Sequence, residues 1–189
     1  MTSSLRRTIR HALTAAALIA AWAVHAQQAD RVVPPASMSG AMAPADETFA
    51  LTASSAGLAQ IEGARLVLKK VQRSDVREFA QATLRAHSQA LDELRRIVAA
   101  RGSKLASTAT GRHADMVTKL SGLAMPDLED AFVQRFGVDA HKELVALYER
   151  HAKEGQDPAL RKHALAVLAM LRERMAAAQK LVHAAAGAR

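Results

Sequence analysis

Four stretches of this chain repeat apolar residues at spacings of three and four, and the alternation of apolar and polar residues from Ala80 to His87 sits inside one of them. A stripe with that spacing lies on one face of an α-helix and must be buried, whereas a half-buried strand needs a period of two. The expected fold class is therefore all-α. The first stripe includes Phe49, Ala53, Ala56, Ile61, Leu66 and Val67, with Asp46 placed to cap the helix and Val71 near its end. The second runs through Val76, Phe79, Ala80, Thr83, Leu84, His87, Leu91, Leu94 and Val98, with Ser74 as its cap and Gly102 as its stop. Pro126 and Asp127 open the third, which passes through Phe132, Phe136, Ala140, Leu144, Leu147, Tyr148 and His151 and ends at Gly155. Asp157 and Pro158 start the fourth, since proline at the first helical position forfeits no hydrogen bond. Its stripe is Leu160, Ala164, Val167, Leu168, Leu171, Met175, Ala178 and Leu181.

Four helices of about 25 residues, each roughly 37 Å long at 1.5 Å per residue, pack as a four-helix bundle. The links at 72–73 and 156–157 are short enough to demand antiparallel neighbours. The stretch 102–126 between the second and third helices is long for a structureless connection, so a short extra helix is expected near Arg112–Leu120. This connection either crosses the length of the bundle, as in ferritin-like topology, or folds back; the spacing leaves both open.

The N-terminus has its own texture. Arg6, Arg7 and Arg10 precede an apolar run from Ala12 to Val24, and Val24 and Ala26 occupy the small or modest positions expected just before a cut after Ala26. That is the layout of a secretory signal peptide over 1–26, and the run falls short of the roughly 20 residues needed to span a bilayer. The Arg6–Arg7 pair matches only the core of a twin-arginine signal, so either export route is open. Residues 27–45, rich in Ala, Pro, Ser and Gly, read as a flexible leader, 46–184 as the bundle domain and 185–189 as a tail. The expected location is the periplasm, with peripheral contact to a membrane as a variant. The chain holds 26 Lys and Arg against 18 Asp and Glu, but without the signal the balance falls from +8 to +5. Scattered arginines at that balance make a poor nucleic-acid footprint, and no nucleic-acid partner is expected. With no cysteine, the chain can hold neither a cysteine-ligated iron–sulfur cluster nor a CxxCH haem.

The segments GLAQIEGARLVLKK, VREFAQATLRAHSQALDEL, KLSGLAMPDLEDAFVQRFGVDAHKELVALYERHA and DPALRKHALAVLAMLRERMAAAQKL resemble the bacterial family called domain of unknown function 4142. The resemblance covers roughly residues 46–184. It implies an exported, ferritin-like helical protein, some members carrying an outer-membrane-protein label; peripheral association fits that label, because no spanning strands are present. It also implies recurring polar positions, a Glu in the first helix and a His in each of the other three. Here these fall on Glu62, His87, His141 and, in the fourth helix, Arg174, a departure that puts a shared metal site in doubt because a guanidinium offers a metal no lone pair.

A carboxylate-bridged di-metal bundle needs two Glu-x-x-His pairs, and this chain has none. No catalytic residue and no cofactor is therefore expected. The alternative is a degenerate ferritin-like metal-binding protein or oxidoreductase holding Fe, Zn or Cu on Glu62, His87 and His141. The structural expectation makes Thr83 the hydrogen-bond partner of His87, joins Tyr148 to His141 in a small polar network, and pairs Arg174 with Glu62. His113, His151, His163 and His183 form no metal-spaced group; His151, Asp139 and Glu143 are assigned to helix surfaces. Ser54, Ser55 and Ser88 have no base identifiable from spacing. The expected function is a non-catalytic structural, stress-related or ligand-binding role in the cell envelope. Peripheral binding of anionic lipid or polysaccharide through rim arginines and lysines is a further alternative, and self-association is compatible with the pattern.

Overall fold

The computed structural model describes residues 41–187; the expected signal peptide, residues 27–40 of the leader and residues 188–189 lie outside them. The described residues form α1 (Pro44–Leu68), α2 (Ser74–Ala99), α3 (Gly111–Ser121), α4 (Asp127–Ala131), a π-helical segment (Phe132–Asp139), α5 (Ala140–Glu154) and α6 (Pro158–Gly187), with no strand among them. The α4, π and α5 pieces follow one another without a break and make up the third long helix. The expected extra helix is α3. Two boundaries move: α1 starts inside the expected leader, where Pro44 supplies a helical φ, and α6 runs on through residues 185–187 of the expected tail.

Asp157 caps α6 as expected, its Oδ1 accepting from the amides of Ala159 at 2.8 Å and Leu160 at 3.0 Å. Asp46 and Ser74 do not cap their own helices, whose N-cap positions are Ala43 and Arg73. Asp46 instead reaches across to the turn before α6, where its carboxylate accepts from the backbone N–H of Gln156 at 3.0 Å and of Asp157 at 2.8 Å. At the α1–α2 turn Glu129 of α4 does the same, its Oε1 accepting from Gln72 N at 2.5 Å and Arg73 N at 3.0 Å. Each hairpin turn is thus held by a buried carboxylate from a helix outside that hairpin. A buried Arg101–Asp157 ion pair at 2.6 Å ties the end of α2 to the turn before α6.

These ties decide the topology. The end of α2 lies beside the turn before α6, and the start of α4 lies beside the α1–α2 turn. Residues 100–126 therefore cross the length of the molecule, with α3 packed against α1 on the way. As a result α2 and the third long helix run parallel, while α1–α2 and α5–α6 are antiparallel.

The interior divides along the helix axes. One apolar cluster includes Phe49, Ala53, Leu94, Leu144, Leu160 and Leu171; a second includes Val67, Phe79, Leu128, Phe132, Phe136 and Ala178. Close packing in the second depends on Gly137, where an added Cβ would lie 2.5 Å from Ala178 Cβ and 3.0 Å from Phe79 Cζ. At Gly57 the same atom meets nothing within 4 Å.

Two outcomes follow from this packing. Replacing Glu129 by Ala removes two turn hydrogen bonds to a carboxylate, each worth about 1.5–3 kcal/mol, so urea denaturation should show Glu129→Ala clearly destabilised and Glu129→Gln, which keeps an acceptor oxygen, less so. Gly137→Ala should lose about 1–3 kcal/mol to overpacking, whereas Gly57→Ala should gain about 0.5–1 kcal/mol as an unobstructed helix-interior replacement; equal effects at the two glycines would contradict the packing.

Candidate functional site

Between the two apolar clusters each long helix contributes one polar side chain at the same level: Gln60 from α1, His87 from α2, His141 from the start of α5 and Arg174 from α6. The first three are buried, and Arg174 lies at the edge with 16% of its side chain exposed. The Nε2 atoms of His87 and His141 face each other at 3.2 Å, with ring centroids 5.1 Å apart and planes at 77°. His141 Nδ1 donates to the Phe136 carbonyl at 2.7 Å, and Gln60 Nε2 donates to the same oxygen at 3.0 Å. The π segment makes that carbonyl available: the Ala140 N–H bonds to Arg135 O, five residues back, and so does not use Phe136 O.

These contacts fix the protons. His141 carries its hydrogen on Nδ1, so its Nε2 is the acceptor and the hydrogen between the rings belongs to His87 Nε2. Burial holds His87 well below the ordinary histidine range, with the charges of His141 and Arg174 adding to the effect. His141 is pushed down to about 4, mainly by burial and further by Arg174, against the opposing pull of its bond to Phe136 O. Both rings are neutral at pH 7. Gln60 Oε1 and Thr83 Oγ1 are buried in this region without a hydrogen-bond partner. A small cavity of about 10 Å³, roughly one water, lies on the His87 side, and His87 and Tyr148 are its only polar lining residues.

The structure brings His87, His141 and Arg174 to one level but not Glu62, which is half-buried and makes no ion pair among the described residues. Arg174 pairs with its neighbour Glu173, so the expected Glu62–Arg174 pair is not formed. Thr83 is buried but not bonded to His87. Tyr148 does not join His141; it packs edge-on against Phe49 at 5.1 Å and lies 6.1 Å from His163. A di-metal centre does not fit these residues, because the polar layer contains no carboxylate. No group of three or more His, Asp or Glu side chains with metal-binding geometry occurs among the described residues.

Sequence spacing passed over several buried groups. Gln60, not Glu62, is the α1 residue in the layer. His151, assigned to a surface, is buried, stacked on Phe49 at 3.6 Å and 3.6 Å from Asp46 Oδ1. Asp139 and Glu143 are exposed as expected. Ser55 does acquire a histidine, with His113 Nδ1 3.0 Å from its Oγ, but that oxygen also accepts from Thr110 N at 2.9 Å. Ser55 is buried, and Glu143, the carboxylate whose charge acts on His113, pairs with Arg112 at 2.9 Å, so the group fastens the crossover to α1 rather than building a triad.

The profile of a domain of unknown function, DUF4142, matches residues 31–181. The chain belongs to the DUF4142 family. No curated protein matches it. Among solved structures, the DUF4142 chain is similar to a DUF305 fragment from Deinococcus radiodurans, with a TM-score of 0.66 and 16% identity over 76% of this chain and 99% of that one. At that identity the likeness is one of fold. No described helix of this DUF4142 protein is long and apolar enough to cross a membrane.

The neutral histidines set a pH dependence. A histidine whose folded-state pKa is depressed leaves the unfolded chain holding more protons, so stability is complete above about pH 6.5 and falls as pH drops. For His141 the loss should level off below about 4 and total about 3 kcal/mol. Denaturation midpoints at pH 7.5, 5.5 and 4.5 should decline steadily in the parent, with a shallower slope in His141→Gln. A flat parent profile would mean that the rings are not held neutral.

Proposed function

We propose that this chain is an exported, non-catalytic, ferritin-like four-helix bundle of the cell envelope with a structural or ligand-holding role. The observation that carries the reading is the closed interior. Its central polar groups are satisfied largely by one another, the space beside them has room for roughly one water, and among the described residues no group of three or more metal-binding side chains converges. The length-crossing connection between α2 and α4 supports the ferritin-like assignment, while the carboxylate-free layer sets the chain apart from the oxidases that share that topology. Export rests on the N-terminal arrangement of arginines, apolar run and small residues.

Fractionation of cells expressing the full chain with a C-terminal tag should recover it in the periplasmic or envelope fraction, shortened by about the 26 residues expected of the signal. The same protein, given Fe(II) and oxygen, should oxidise iron no faster than buffer. Recovery of the uncut chain in the cytosol would overturn the location, and catalysed iron oxidation would overturn the non-catalytic role.

A further inference from the structure

We propose that the facing Nε2 atoms of His87 and His141 form a two-coordinate site for one soft monovalent cation, copper(I) or silver(I), in place of the hydrogen that now lies between them. The proposal rests on the ligand-holding form of the reading above and names the ligand class.

His141 is already arranged as a metal ligand, with Nδ1–H fixed on the Phe136 carbonyl and the Nε2 lone pair aimed at the partner ring. The second nitrogen stands 3.2 Å away. Two metal–nitrogen bonds of about 2.0 Å each require a separation near 4 Å, so the rings must part by a little under 1 Å. The space exists on the His87 side, where the small cavity adjoins the ring and Gly57, which also lines it, presents no side chain.

Charge then selects the ion. The layer offers neutral donors only and faces the Arg174 guanidinium, while apolar clusters close it on both sides. A divalent ion would bring two uncompensated charges into that setting, and among the described residues no third or fourth charged ligand converges to offset them. A monovalent ion brings one. Imidazole nitrogen suits copper, and the absence of oxyanion ligands disfavours hard cations.

The proton balance closes without acid or base. When the cation enters, the His87 hydrogen moves from Nε2 to Nδ1, the ring stays neutral, and no proton is released. Thr83 Oγ1, one turn earlier on α2 and buried without a partner, supplies an unpaired acceptor on that helix.

Silver(I) is the probe, since it needs no reductant. Titrated into the mature chain, it should bind one equivalent tightly and raise the Tm, with affinity reduced at least tenfold in His87→Gln and in His141→Gln but kept in His183→Gln, which alters an exposed histidine. Because the core variants could misfold, nitrogen-detected NMR of the parent's histidines provides an independent readout: both Nε2 signals should shift together at one equivalent. Unshifted His87 and His141 resonances, or silver binding unchanged in both folded core variants, would overturn the proposal. So would zinc(II) binding at the same two nitrogens as tightly as silver. Those failures would leave the envelope location and the absence of iron oxidation untouched, because these are read by fractionation and oxygen consumption.

Discussion

A buried amide, carbonyl or imidazole must find a partner inside the protein, and the four long helices meet where that demand is most concentrated. The Phe136 carbonyl, left free of the Ala140 N–H by the π segment, accepts from Gln60 of α1 and from His141. His141 in turn is bonded to His87 of α2. Three of the four long helices are therefore tied through one backbone oxygen. Slippage of any of them along its axis would leave polar groups stranded between two apolar clusters, so the layer specifies register in a core that otherwise offers only non-directional packing.

The same rule operates at the two ends. The two hairpin turns present backbone N–H groups that no helix satisfies, and here the buried carboxylates of Asp46 and Glu129 satisfy them from a distance in sequence. Each carboxylate links one helical hairpin to the other. The long crossover supplies connectivity between those hairpins, and these two side chains supply much of their alignment. The groups of this centre are occupied with holding the helices in register, and the space beside them has room for roughly one water.

Much of the fold was legible because a helix surrounded by few neighbours advertises its buried face. The stripe on α2 from Val76 to Val98 is buried as read apart from Leu84, which is half-buried, and both α3 and the Asp157 cap lie where loop length and capping chemistry place them. The candidate site was legible only in part. Every residue of α1 from 53 to 61 is buried, since α2, α3, α5 and the π segment all pack on that helix. A helix covered on most sides shows no polar face, which is why its inward polar residue could be assigned to Glu62 when it is Gln60. His151 escaped for a related reason, because its burial comes from stacking on Phe49, just over one hundred residues away.

The sequence alone determined the all-helical class, the number and approximate extent of the long helices, and the presence of two core histidines, because these depend on periodicity and on residues near one another in the chain. Only the tertiary structure decided that the crossover runs the length of the bundle, that Asp46 holds a turn rather than capping its own helix and Glu129 holds the other, and that His87 faces His141 with Gln60 as their neighbour. Those outcomes depend on which backbone groups are left without partners once the helices are packed, and that shortage exists only in three dimensions.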